Sequence, residues 1–184
     1  MKNLKKMLTL LLAAAMTLAL VACGGNNNTS GSNGSTPSSN GNTSSSAGVA
    51  TDPNATLGET LKAVFEANAD QDAETLANTL LNNEQIEFAT AVMPVEPGYL
   101  PGFSADIEGF KSAVSFGPMI STIPFVGYIF ELEEGADVDA FIAELEANAN
   151  LRWNVCTAAE EMVTAAEGNT VFFLMCPHSL EIEE

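Results

Sequence analysis

The chain has 184 residues with 24 Asp and Glu against six Lys and Arg, a formal net charge of −18 at pH 7. Nucleic-acid affinity rests on cationic side chains neutralising phosphates, so this balance excludes a nucleic-acid partner and disfavours anionic lipid surfaces. It suits solubility and a cationic partner.

The chain opens MKNLKK, with Lys2, Lys5 and Lys6 ahead of a charge-free, Leu/Ala-rich run from Met7 to Ala22. A permanent membrane-spanning helix needs about 20 apolar residues. A basic start, a short apolar middle and a small final residue fit an export leader instead. Its last residues, Leu20-Val21-Ala22-Cys23, resemble the lipobox of bacterial lipoproteins. The resemblance implies that residues 1–22 are a signal peptide cut after Ala22. It also implies that the Cys23 thiol carries diacylglycerol and that a membrane is a partner through this anchor. The alternative is an ordinary secretory leader with a chance cysteine. Two acyl chains hold a protein on a bilayer where one does so only marginally. Gly24, not aspartate, follows the cysteine, so the usual inner-membrane retention signal of two-membrane cells is missing.

Loss of residues 1–22 removes three lysines and no acid, moving the charge from −18 to −21 and leaving Lys62, Lys111 and Arg152 as the cations. Of the 25 residues from Gly24 to Gly48, 23 are Gly, Asn, Ser or Thr. Such a stretch has nothing to bury against its ordering entropy, so residues 23–50 read as a lipidated cysteine and a flexible tether. Its root-mean-square reach is on the order of 25–30 Å, beyond a screening length of about 8 Å. The acidic domain therefore hangs clear of an acidic surface. A tether this long suits a thick wall, and the expected location is the extracytoplasmic face of a Gram-positive cell membrane.

Residues 51–178 read as one domain, with 179–184 as an acidic tail. Thr56 and Glu59 have capping-box spacing, and Leu57, Leu61, Val64 and Phe65 then share a helical face. Asp72 caps a shorter helix bearing Leu76 and Leu80. "EFATAVMP" reads as a strand stopped by Pro94, with a continuation of the helix as the alternative. Five of the eight prolines lie between Pro94 and Pro124, so this region is expected to be turns with at most short strands around Phe110 to Phe116. "PFVGYIFEL" reads as a buried strand. Gly135 ends it, and Asp137 opens a helix lined by Val138, Phe141, Ile142 and Leu145. Thr157 and Glu160 repeat the capping-box spacing, predicting a helix to about Glu167 that stops at Gly168-Asn169. "TVFFLMC" is a central-strand run ended by Pro177. The expected fold class is α+β, a two-layer sandwich with helices packed on one face of a small sheet.

FEANA at Phe65–Ala69 is echoed by LEANA at Leu145–Ala149, which raises a duplicated helix–helix–strand unit against a coincidence of helix-end residues. The strand–helix–helix–strand pattern from Pro124 to Cys176 resembles an uncharacterised domain of small Gram-positive lipoproteins. That resemblance implies a location and no chemistry.

Cys156 and Cys176 are the thiols left after lipidation. If the chain doubles back at Gly168-Asn169 they return to one end of the domain, where an extracytoplasmic disulfide competes with two separate buried thiols. The single histidine, His178, lies beside the tail with no evident partner, which argues against a Cys–His or Ser–His–Asp site and against zinc. The acids of "ELEEGADVD" miss the calcium-loop pattern: from Glu131 the glycine comes fifth, and position twelve is Ile142. They read as a solvated turn before a helix. No metal or cofactor is expected.

"GYLPGF" is the leading contact surface, with Tyr99, Leu100 and Phe103 on a Pro/Gly-stiffened loop. The competing reading has these side chains plug the sheet. Trp153 carries the same two readings. The favoured function is a non-enzymatic, membrane-anchored module that binds or assembles with an envelope protein. Alternatives are a carboxylate-based hydrolase of wall or glycan material and a small-ligand component of a transporter.

Overall fold

Thr56 opens the first helix as its spacing predicts. Its hydroxyl accepts from the Glu59 amide at 3.2 Å, and the Glu59 carboxylate accepts from the Thr56 amide at 3.0 Å. In the computed structural model, which describes residues 54–119 and 122–180, this cap starts α1 (Leu57–Asn68). Asp72 starts α2 (Ala73–Leu81), its carboxylate accepting from the Thr75 amide at 3.0 Å and from the Thr75 hydroxyl at 2.6 Å. Those bonds, the hydroxyl's first, hold the Asp72 carboxyl below its ordinary range. A depressed folded-state value means stability that is present above the unfolded value and lost as pH falls through the folded one. Asp72→Ala should therefore lower the thermal midpoint at neutral pH, and the gap from the parent should close in acid. Paired melts across pH 2–7 check this.

The remaining elements are β1 (Thr90–Val95), β2 (Gly98–Tyr99), β3 (Asp106–Ile107), β4 (Ser112–Pro118), β5 (Val126–Glu131), α3 (Val138–Asn148), β6 (Glu161–Glu167) and β7 (Thr170–Cys176). Five strands form an antiparallel sheet in the order β1-β4-β5-β7-β6, and β2 pairs with β3 as a separate ribbon.

Strand side chains alternate between faces, and β7 is apolar on both. Phe172, Leu174 and Cys176 meet Leu57, Leu61 and Phe65 of α1 and Leu76 and Leu80 of α2. Val171, Phe173 and Met175 meet Phe141 and Leu145 of α3 together with Leu100, Phe103, Ile107 and Phe110. The α+β class therefore holds, with helices packed against the sheet. Beyond the expected single helical layer, α3 and the 98–110 segment cover the second face. Gly127 of β5 is what lets β4 and β5 close on the first face, because a Cβ there would fall inside the Phe116 ring. Gly127→Ala should cost about 1–3 kcal/mol by overpacking, read as a lower denaturant midpoint at unchanged slope.

Pro94 lies within β1 and does not stop it. β1 is an edge strand. Met119 donates to Ala89 across the β1–β4 pair at 2.8 Å, so Ala91, Met93 and Val95 bond β4, while Pro94 turns its nitrogen to the open side. A proline costs little there. Pro118 ends β4, where pairing with β5 has already stopped at Phe116–Gly127. β4 is thus a full seven-residue strand inside the sheet, where only short strands were expected. Neither Pro94, inside an edge strand, nor Pro118, at the end of β4, interrupts the sheet.

The predicted helix from Thr157 to Glu167 is not formed. Thr157 donates its hydroxyl to the Thr122 carbonyl at 2.6 Å, and Glu160 accepts from the His178 amide at 2.9 Å, so neither residue caps a helix. Residues 161–167 pair with β7 through a two-residue turn in which Gly168 has φ +59°. That is hairpin chemistry, and the hairpin buries the edge of β7. The run from Pro124 to Cys176 is accordingly strand–helix–strand–strand, and the duplicated helix–helix–strand unit does not exist. The FEANA/LEANA echo is a shared helix ending: Asn68 donates to Val64 O at 2.7 Å, and Asn148 donates to Glu144 O at 2.9 Å.

Candidate binding surface

Tyr99 is 72% exposed on the β2–β3 ribbon, whereas Leu100 and Phe103 are each 3% exposed. The contact-surface reading of Leu100 and Phe103 is therefore overturned. Phe103 stacks on the sheet, with ring centroids 4.7 Å from Phe173 and 5.6 Å from Tyr128. The segment is sewn to the end of α3 by Ser104 donating to Asn148 O and Asn150 donating to Gly102 O, both at 2.8 Å. The Tyr128 hydroxyl donates to Pro101 O at 2.7 Å. Burial, with the nearby Tyr99 adding to it, pushes the Tyr128 phenol above its ordinary range. A ring this occupied is a structural plug. Trp153 is half-buried against the same core.

Apart from Tyr99 and Met93, the exposed large apolar side chains lie on two other segments. Thr157 Oγ1 and Asn154 Nδ2 both donate to Thr122 O, at 2.6 and 3.4 Å, tying the segment after α3 to the β4–β5 connection. Around this tie stand Met119 at 62% exposure, Leu151 at 38% and Val155 at 97%. The sequence carries no acid from Gly109 to Phe130 or from Ala147 to Ala159. Arg152, exposed beside Leu151, forms no ion pair among the described residues, whose pairs are Lys62–Glu66 and His178–Glu160. The two segments joined here are thus free of acids and carry exposed apolar side chains beside one cation, in an otherwise strongly acidic chain. Within "NLRWNVC" the sequence singles out Trp153 alone as a possible contact, because the signal of the rest is a lack of acids. Measured against 24 acids elsewhere, that lack was visible.

At the same end of the sheet, Glu161 ties α1 to β6. Its carboxylate accepts from Thr56 Oγ1 at 2.8 Å, from the Gly58 amide at 2.9 Å and from Cys176 Sγ at 3.5 Å. Gly58 permits the approach, since a Cβ there would stand 2.6 Å from Val163 Cγ2. Cys176 is buried and Cys156 exposed, and both are free, so the candidate disulfide is not formed. The physical reason is the missing helix: Cys156 lies on the connection before β6, and Cys176 turns into the core beneath α1. Burial first, then the Glu161 charge and hydrogen bond, push the Cys176 thiol up, away from the thiolate a nucleophile needs. His178 does have a partner, contrary to expectation: Nδ1 lies 3.7 Å from Glu160 Oε2, and its amide donates to the same carboxylate at 2.9 Å. Its carbonyl accepts from the Leu57 amide at 2.8 Å. These contacts join chain segments, and none sets a base against a nucleophile.

Among the described residues no group of three or more His, Cys, Asp or Glu is placed to hold a metal ion. No helix among them is long and apolar enough to cross a membrane. Ala22 and Cys23 lie outside the described residues, as do the leader, the tether up to residue 53, and residues 181–184 of the tail. Leu180, assigned to the tail, packs on the first core. No protein-family model, no curated protein and no solved structure matches the chain.

Proposed function

We propose that this protein is a lipid-anchored, non-catalytic module on the extracytoplasmic face of the cell membrane, docking an envelope protein through the acid-free segments joined at Thr122 and Thr157. The observation that carries the reading is the exposure of Met119, Leu151 and Val155 together with that of Arg152, which forms no ion pair among the described residues. Exposed large apolar side chains grouped within a polar rim are how interaction sites differ from ordinary surface. Burying the Val155 and Leu151 side chains would contribute about 1.5–3 kcal/mol each. The remaining surface of a chain at −18 resists close approach by other acidic proteins, which leaves these segments as the easiest landing point.

The lipobox resemblance supplies the location. With Cys23 acylated, partner and module share one surface, and tethering raises their effective concentration. The hydroxyl and carboxamide ties from Thr157 and Asn154 to Thr122 O fix the two segments before any partner arrives, which limits the ordering cost of binding.

The test places a photo-activated crosslinking residue at Val155 of the full-length protein in intact cells, with exposed Glu108 as the control position. Position 155 should give an adduct of discrete mass that Leu151→Glu abolishes, and position 108 should give none. Equal labelling at both positions, or none at 155, would remove the docking reading. The anchor is checked separately: Cys23→Ser should release the protein into the medium.

A further inference from the structure

We propose that the outer edge of β6 accepts an extended polypeptide strand bearing a basic residue near each end. The sheet has two edges, and they are finished differently. β1 carries Pro94 with its nitrogen on the open side, a device that blunts an edge against pairing. β6 carries no proline, no lysine and no charge between Met162 and Ala166, and its register against β7 is unbroken from Glu161–Cys176 to Glu167–Thr170.

The backbone directions follow from the turn. In a two-residue hairpin the closing pair, here Glu167 and Thr170, exchanges both backbone hydrogen bonds, and the pattern then alternates. Ala165 and Val163 therefore bond β7, while the N–H and C=O groups of Met162, Thr164 and Ala166 point away from the sheet. None of these groups has a backbone partner among the described residues outside the β6–β7 ladder. α1 and α3 pack on opposite faces of the sheet. Thr164 Oγ1 donates to Glu146 Oε1 of α3 at 2.8 Å, so its side chain is held on the α3 face, clear of the ladder direction. A template of three outward donor–acceptor positions is what strand addition uses.

Charge selects the occupant. A second copy pairing antiparallel about Thr164 would set Glu161 opposite Glu167 at both ends, and would bring −18 against −18. Like charges directly across a strand pair are destabilising. A strand with Lys or Arg near each end instead meets Glu167 at one end and Glu160 and Glu161 at the other, with small or β-branched residues between. This inference rests on the docking-module reading and adds to it a second surface with a stated partner chemistry.

The experiment uses the full-length protein and two synthetic heptapeptides, Lys-Val-Thr-Val-Thr-Val-Lys and its Glu-ended counterpart. Binding is followed by fluorescence anisotropy, and amide exchange is followed residue by residue. The Lys-ended peptide should slow exchange at Met162, Thr164 and Ala166, and should bind about tenfold more tightly than the Glu-ended one. Thr164→Pro, which removes an outward N–H as well as the Glu146 bond, should abolish binding. Thr164→Val, which loses the Glu146 bond but keeps the N–H, should not, and unchanged thermal unfolding confirms that both variants fold. Equal binding of the two peptides, or no protection at the three amides, overturns the inference. Protection that rises with protein concentration alone also overturns it, because the occupant is then a second copy. Crosslinks from Val155 that persist while peptide binding fails remove this inference only. Peptide binding that survives without those crosslinks removes only the docking surface at Val155.

Discussion

Phe173→Ala should lower the unfolding free energy by about 3–5 kcal/mol, a loss comparable with the whole margin of a weakly stable domain. Phe173 is fully buried at the middle of the second face, with Phe103 at 4.7 Å and Tyr128 at 6.4 Å between ring centroids. Its loss leaves a cavity beneath the 98–110 segment, which reaches the sheet through Phe103, Phe110 and the Tyr128–Pro101 hydrogen bond. The neighbouring Phe172→Ala removes a ring of the same size from the opposite face, where it stacks on Phe65 at 5.2 Å and on Phe116 at 6.3 Å. Both variants should be strongly destabilised in chemical denaturation at unchanged slope. They should differ in where they loosen. Phe173→Ala should speed amide exchange in α3 and the 98–110 segment, and Phe172→Ala should do so in α1 and α2. A cost below about 1 kcal/mol for either, or loosening on the wrong face, would contradict the two-sided packing of β7.

Much of this fold was readable from local chemistry. Thr56, Asp72 and Asp137 each cap the helix they were expected to cap, because a side-chain oxygen bonding an amide three residues on is decided within one turn. The apolar runs at Val126 and Thr170 became fully buried strands for a similarly local reason, since six adjacent apolar residues leave few alternatives. What failed was decided at a distance. Thr157 and Glu160 have capping-box spacing, but Thr122 and His178 claim their side chains from 35 and 18 residues away. Pro94 is harmless only because β1 is an edge and its nitrogen faces outward, and strand order is not written in the proline. For "GYLPGF" the sequence left surface and core both open, and with both sheet faces covered Leu100 and Phe103 are core while Tyr99 stays exposed. Val155 and Leu151 became the exposed pair instead, in a segment notable only for the acids it lacks.

Glu161→Ala should cost about 2–3 kcal/mol, because one carboxylate accepts three hydrogen bonds across the α1–β6 seam and truncation leaves those donors without it. The Gly58 amide lies in the first turn of α1, where unpaired N–H groups and the helix dipole favour negative charge. Part of the loss is therefore electrostatic and part is hydrogen bonding, and Glu161→Gln separates the two. The glutamine keeps one acceptor oxygen for the Gly58 amide but loses the charge and the second acceptor, so its cost should fall near half that of alanine. If alanine and glutamine cost the same, the charge is the whole contribution; if glutamine is silent, hydrogen bonding is. The seam also explains why β6 is a strand although its flanking residues carry a helix-start pattern. In the observed register Glu161 stands opposite Cys176, with its carboxylate beneath Gly58. A helix over the same residues would break that pairing and leave the start of α1 without its anion. The readout is amide exchange at Gly58 alongside the denaturation midpoint. Glu161→Ala should raise exchange there well before global unfolding, whereas a carboxylate that merely sat on the surface would leave both unchanged.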